Sequence, residues 1–208
     1  MMKQGSDCLE LFKAAYNNRY TWGPNFCGYK GHCILEKGSF SVKASFQVSK
    51  DMKININGID DEGVKKSIYF QLWEVSIHRV RRSFESTHGL NTFIAGDIND
   101  VGTEIIVGGK NNGDRYRVKD NVVTMVSRHI HGQLITIYTK SVIHTGKGYL
   151  SKEYSSQYHN PETGIITKPL TNYIDSFIPL VKDGPWVLSG RIIQPEISSN
   201  IASKQIFE

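Results

Sequence analysis

From residue 91 onward the chain never runs far without a turn signal. Gly108-Gly109, Asn111-Asn112-Gly113-Asp114, Gly146-Lys147-Gly148, Asn160-Pro161-Glu162-Thr163-Gly164 and Asp183-Gly184-Pro185 cut it into short pieces. Gly and Asn tolerate the positive φ of tight turns, and Pro presets a turn's first φ. The pieces between them (92–98, 104–107, 116–118, 121–130, 134–144, 149–159, 165–181 and 186–194) read as strands. Consecutive strands joined by tight turns make an antiparallel meander.

Upstream the pattern is mixed. Leu9, Phe12 and Tyr16 recur at helical spacing, with Leu11 and Ala15 beside them, and predict a helix over 6–18 capped by Ser6 or Asp7. An aromatic loop follows over 19–29, broken by Gly23-Pro24-Asn25. Strands are expected over 30–57. Gly38-Ser39 reads as a hairpin turn, and Phe40, Val42, Ala44, Phe46 and Val48 alternate with polar residues. A long helix is expected over 60–86, started by Asp60 or Asp61.

That helix has two apolar sides. Val64, Ile68, Leu72 and Val75 form one, and Tyr69, Phe70, Trp73, Ile77, Val80 and Phe84 form the other. A surface helix ordinarily carries one stripe, so burial on both sides is expected. Between them runs a polar seam of Ser67, Gln71, Glu74, His78, Arg82 and Glu85. Nine to eleven strands with two helices are too much sheet to stay flat. The expected fold is α+β, mostly antiparallel β. It is a single domain over 1–208, with a curved sheet or open half-barrel and the long helix across its concave face. This layout is like that of lipoprotein carriers or lipocalins.

Composition narrows the function. Hydrophobic residues make up 39% and charged residues 22%, which excludes a disordered chain. The net charge of +5 is spread along the sequence, apart from His78-Arg79-Val80-Arg81-Arg82, so no nucleic-acid partner is expected. No window is long enough for a membrane span, and residues 1–10 lack a signal-peptide core, so a cytoplasmic protein is expected, as monomer or homodimer. Cys8, Cys27 and Cys33 show no framework spacing and read as free thiols. No phosphate loop, dinucleotide fingerprint or nucleophile elbow occurs, and no cofactor is expected.

Three constellations bear chemistry. His129 and His131 share a strand face by period two, the start of a metal site without a visible third ligand, so no metal is assigned. Cys27 lies in the aromatic loop, where nothing local activates it. The third is an acid/base set of His78, Arg82, Glu85 and His88. His moves protons near neutral pH, Glu85 orients it, and Arg82 steadies a developing oxyanion. Tyr20, Trp22, Phe26, Tyr69, Trp73 and Tyr138 supply the aromatic wall for a substrate.

Arg19-Tyr20-Thr21-Trp22, Asn25-Phe26 and Gly28-Tyr29 resemble the N-terminal signature of an uncharacterised domain family common in cyanobacteria. His78-Arg79, Arg82-Ser83-Phe84-Glu85 and His88-Gly89 resemble its central motif, and Thr145-Gly146, Gly148-Tyr149, Asn160-Pro161 and Thr163-Gly164 its later turns. Cys27, Cys33, His129, His131 and His144 depart from that pattern, which implies a specialised member. Two functions are carried forward. One is a cofactor-independent lyase, cyclase or carbon–carbon synthase acting on an apolar or aromatic substrate. The other is a non-catalytic carrier of a lipid, pigment or other hydrophobic ligand. The C-terminal 198–208 tail is a further candidate contact for an assembly partner.

Overall fold

A computed structural model describes residues 4–196 and 203–208. It contains α1 (Gln4–Asn17), β1 (Gly28–Lys37), β2 (Phe40–Ser49), β3 (Ile54–Asn57), α2 (Glu62–Ile77) and α3 (Phe84–His88). Then come β4 (Asn91–Asn99), β5 (Gly102–Gly109), β6 (Arg115–Lys119), β7 (Val122–Ile130), β8 (Gln133–His144) and β9 (Tyr149–His159). The last strands are β10 (Ile166–Pro179), β11 (Trp186–Pro195) and β12 (Ser203–Phe207). The fold is mostly antiparallel β with few helices. The strand order is β3-β2-β1-β12-β11-β10-β9-β8-β7-β6-β5-β4, so β3 and β4 are edge strands.

The chain divides into two compact units. The first comprises residues 1–20 and 82–172, the second residues 21–81 and 173–208. In the first, α1 turns Cys8, Phe12, Ala15 and Tyr16 inward at helical spacing onto Ile105, Val107, Tyr116, Val118 and Val123. Phe12 is fully buried, and its ring lies 4.5 Å from that of Tyr116 and 5.5 Å from that of Phe84. The N-terminal and turn motifs meet here. Tyr20 donates its backbone N–H to Tyr149 O at 2.8 Å, and Tyr149 returns one to Asn18 O at 2.9 Å. Gly148, at φ 129°, lies so close that a Cβ would stand 2.6 Å from Asn18 O. Only glycine fits that conformation and that contact together.

In the second unit the alternation along β2 is realised. Ala44, Phe46 and Val48 are buried, while Ser45 and Gln47 face away from them. Phe46 stands opposite Ile56 of β3, and Val48 opposite Ile54. β12 pairs with both β1 and β11, placing Cys33 opposite Phe207 and Arg191 opposite Gln205. The expectation of a tail free for a partner is therefore corrected for residues 203–208; residues 198–202 lie outside the described residues. Gln205 and Phe207 are buried, so this segment is interior.

The single helix expected over 60–86 is two helices. α2 ends at Ile77 with His78 as its C-cap, and Ser83 caps α3 by accepting the Ser86 N–H at 3.0 Å. Trp22 N–H takes the Arg79 carbonyl at 2.8 Å, in place of a helical donor further along the chain. Five residues with three arginines and a histidine would also stack like charges at i, i+3 and i, i+4 in a continued helix. Burial of α2 on two sides is likewise corrected. Ile68, Leu72 and Val75 are buried, but Phe70 is 53% exposed and Trp73 40%.

Candidate ligand groove

β3 is a short edge strand, and α2 follows it after four residues. Asp61 starts the helix, its Oδ1 accepting from Gly63 N at 2.8 Å and Val64 N at 3.0 Å. This connection leaves an open groove of about 530 Å³ between strand and helix. Ile54 and Ile56 form its apolar floor, Tyr69 and Phe70 its helical wall, and Lys65 and Lys66 part of its rim. Tyr69 and Phe70 meet edge to face at 5.6 Å. Lys65 is held by Glu62 at 2.7 Å. Gln47, Asn55 and Asn57 add neutral hydrogen-bonding groups. An apolar floor with a few polar groups at one border, in a volume of a few hundred Å³, is the general character of a small-molecule site.

The polar seam of α2 does not line this groove. Gln71 and Glu74 instead cover Arg191 of β11, which is 2% exposed. Arg191 Nε and Nη2 donate to the two carboxylate oxygens of Asp175, each at 2.7 Å. Its Nη1 donates to Gln71 Oε1 at 2.8 Å and Glu74 Oε2 at 3.2 Å. The guanidinium also lies 5.6 Å from the Tyr173 ring. A bidentate carboxylate and two further acceptors satisfy this cation, so it pins α2 to the strands.

The four residues of the expected acid/base set are distributed over both units. His78, in the second unit, is the exposed C-cap of α2. Arg82, Glu85 and His88 belong to the first unit, where each meets a different partner. Glu85 pairs with Lys13 at 2.7 Å, which holds its carboxyl below the usual range. Arg82 is exposed, and its carbonyl accepts from the Tyr16 hydroxyl at 3.3 Å. His88 is buried among Phe12, Tyr16, Phe84, Phe93 and Tyr116. Burial, then the charges of Arg128 and Arg19, lowers its pKa to about 4. Asn111 N–H donates to Asn91 Oδ1 at 2.9 Å, which turns Asn91 Nδ2 toward His88 Nδ1 at 3.2 Å. His88 is therefore a neutral acceptor at Nδ1.

Of the expected aromatic wall, Tyr69 lines the groove and Trp73 lies exposed one turn beyond it. Trp22 and Phe26 stack on each other at 3.9 Å, and Trp22 Nε1 donates to Trp186 O at 2.9 Å. That pair is a structural cluster. Tyr20 is buried in the first unit, and Tyr138 is exposed on β8 opposite Ser155. His131 sits in the β7–β8 turn at φ 50°, off the strand face that His129 uses, which removes the paired-imidazole arrangement. His129 Nδ1 lies 3.5 Å from Asp114, a buried carboxylate that also takes Arg128 Nε at 3.1 Å. Cys27 is exposed and leans on Asn25 O, while burial pushes the Cys33 thiol up to about 12.

Sequence reasoning missed the strand side of the groove and its lysines. Ile54 and Ile56 carry no mark beyond strand alternation, and nothing local says that α2 stops short of covering the strand edge. The usable signal was the second apolar side of the helix, Tyr69 and Phe70 above all.

A family profile described as "Protein of unknown function (DUF3386)" matches residues 3–208. No curated protein matches the chain. A solved structure of a LolA superfamily protein from Nitrosomonas europaea aligns over 97% of this chain and 91% of that one, at 8% identity and a TM-score of 0.31. A likeness that distant carries no inference about ligand or partner. Among the described residues no helix is long and apolar enough to cross a membrane.

Proposed function

The chain belongs to the DUF3386 family, whose description assigns no chemistry, and on that premise we propose that it binds a mostly apolar small molecule without transforming it. The ligand lies along the groove between β3 and α2. The observation that carries this reading is the lining: Ile54, Ile56, Tyr69 and Phe70 below and beside the ligand, with Lys66 and the Glu62–Lys65 pair at the border. Such a lining suits an elongated molecule with an anionic or polar end. Its apolar body gains the hydrophobic transfer energy, and its polar end stays near ammonium groups and water. The carrier reading is favoured over the catalytic one by the state of two members of the acid/base set. Glu85 is engaged by Lys13, and His88 stays neutral down to a pH of about 4.

The test is titration with cis-parinaric acid, whose fluorescence rises in apolar surroundings. Saturable binding at one site is expected. Asn57→Trp fills the groove from its exposed border and is expected to weaken binding about tenfold, which is about 1.4 kcal/mol. Absence of saturable binding, or an Asn57→Trp protein that binds as well as the parent, would overturn the groove as the site.

A further inference from the structure

The exposed side of α2 is more than one aromatic residue. Lys66, Phe70, Trp73 and Ile77 follow one another at i, i+4, i+7 and i+11. At 100° per residue they fall within an arc of about 60°, so they form one straight stripe. The opposite stripe, Ile68, Leu72 and Val75, is buried, and Gln71 and Glu74 are fixed on Arg191. The helix cannot roll to hide its aromatics without breaking those contacts. Phe70 and Trp73 are thus held in water by the packing behind them, at 53% and 40% exposure.

We infer that this stripe is a docking face for the surface of an anionic lipid bilayer. Charge is distributed to match. Lys66 lies on the stripe, and His78, Arg79 and Arg81 follow the helix end where Trp73 and Ile77 sit. Arg79 leans over the Phe177 ring at 5.8 Å, and Arg81 is exposed. Of the acidic residues, Glu74 is paired with the buried Arg191, and the others lie at the opposite end of the helix. Asp61 caps the helix, Glu62 is paired with Lys65, and Asp60 is exposed. The chain as a whole carries +5. An indole beside cations is the side-chain set that settles at headgroup depth, with the ring among the upper acyl carbons.

Size argues against a second copy as the occupant. The stripe is about 17 Å long and about 10 Å wide, on the order of 200 Å². A stable protein interface needs about 800 Å² per partner. Insertion of two aromatic rings into a bilayer needs no such area, because each ring gains by its own burial. The docking face shares Lys66 and Phe70 with the groove and runs on past it through Trp73 and Ile77.

The full chain is mixed with vesicles of phosphatidylcholine alone, and of phosphatidylcholine with phosphatidylglycerol, and bound protein is separated by flotation. Partition onto the mixed vesicles is expected, with a blue shift of tryptophan emission and loss of binding in high salt. Trp73→Ser lowers partition about tenfold, and Arg81→Ala about fivefold. Trp73→Phe keeps the binding and removes most of the blue shift, because Trp22 is buried and Trp186 half-buried beforehand. Circular dichroism confirms that each variant is folded. No partition onto mixed vesicles, or equal partition by Trp73→Ser and parent, overturns the proposal. So does a concentration-dependent dimer in sedimentation that Trp73→Ser abolishes, since a second copy then covers the stripe. Parinaric-acid titration of the same proteins separates the two readings. Trp73→Ser binds the probe normally, and lost vesicle binding with normal probe binding overturns the docking face alone.

Discussion

The first unit encloses a neutral imidazole, and the second encloses a full positive charge. His88 sits among five aromatic rings, with one amide to satisfy one ring nitrogen. Arg191 sits beneath α2 with a bidentate carboxylate and two more acceptors. A buried histidine escapes the burial penalty by giving up its proton, whereas an arginine has no neutral form to fall back on. The difference shows in the helices. α1 spends its apolar face on a ring-lined core and has no charge to hold. α2 must present Gln71 and Glu74 inward, which turns Phe70 and Trp73 out.

That contrast can be broken from its charged side first. Arg191→Ala leaves Asp175 buried without its partner and is expected to cost about 3–5 kcal/mol. Urea unfolding should show the loss, and Trp73 should report α2 loosening. A second break is by pH. The His88 pKa of about 4 lies below the usual value near 6.5, so the unfolded chain takes up the proton more readily. The stability this gives is complete above about pH 6.5 and is lost as pH falls toward 4, in all about 3 kcal/mol. Equilibrium unfolding across that range should show the slope, and His88→Phe should flatten it. The smallest effect is expected at Glu85, whose pair with Lys13 is solvated. Glu85→Gln should leave the urea midpoint nearly unchanged. A large change there would mean that the exposed face of α3 does more than pair with α1.

Much of the sheet was legible because its signals are local. Turn residues and period-two runs lie within ten residues of the structure they specify, and the β1–β2 hairpin around Gly38-Ser39 is the plainest case. α1 was legible for the same reason. The break between α2 and α3 was not, because the apolar period continues through Val80 and Phe84 without Gly or Pro. The purpose of the polar seam was hidden as well. Gln71 finds Arg191 120 residues away, and no spacing rule reaches that far. Of the groove, the sequence marks Tyr69 but not Ile54, because a helix wheel shows which side is apolar but not where the neighbouring strand ends.

β12 has a consequence for how the protein is made. Residues 203–207 slot between β1 and β11. A nascent chain therefore has its first hairpin, β1–β2, long before the strand that completes that hairpin's other border. Until the ribosome has released residue 207, β1 stays open to wrong neighbours. Cys33, which ends opposite Phe207, lacks that cross-strand neighbour until β12 pairs. A pairing between such distant segments forms late, and until it does β1 keeps an unpaired border of the kind that invites wrong strand pairing.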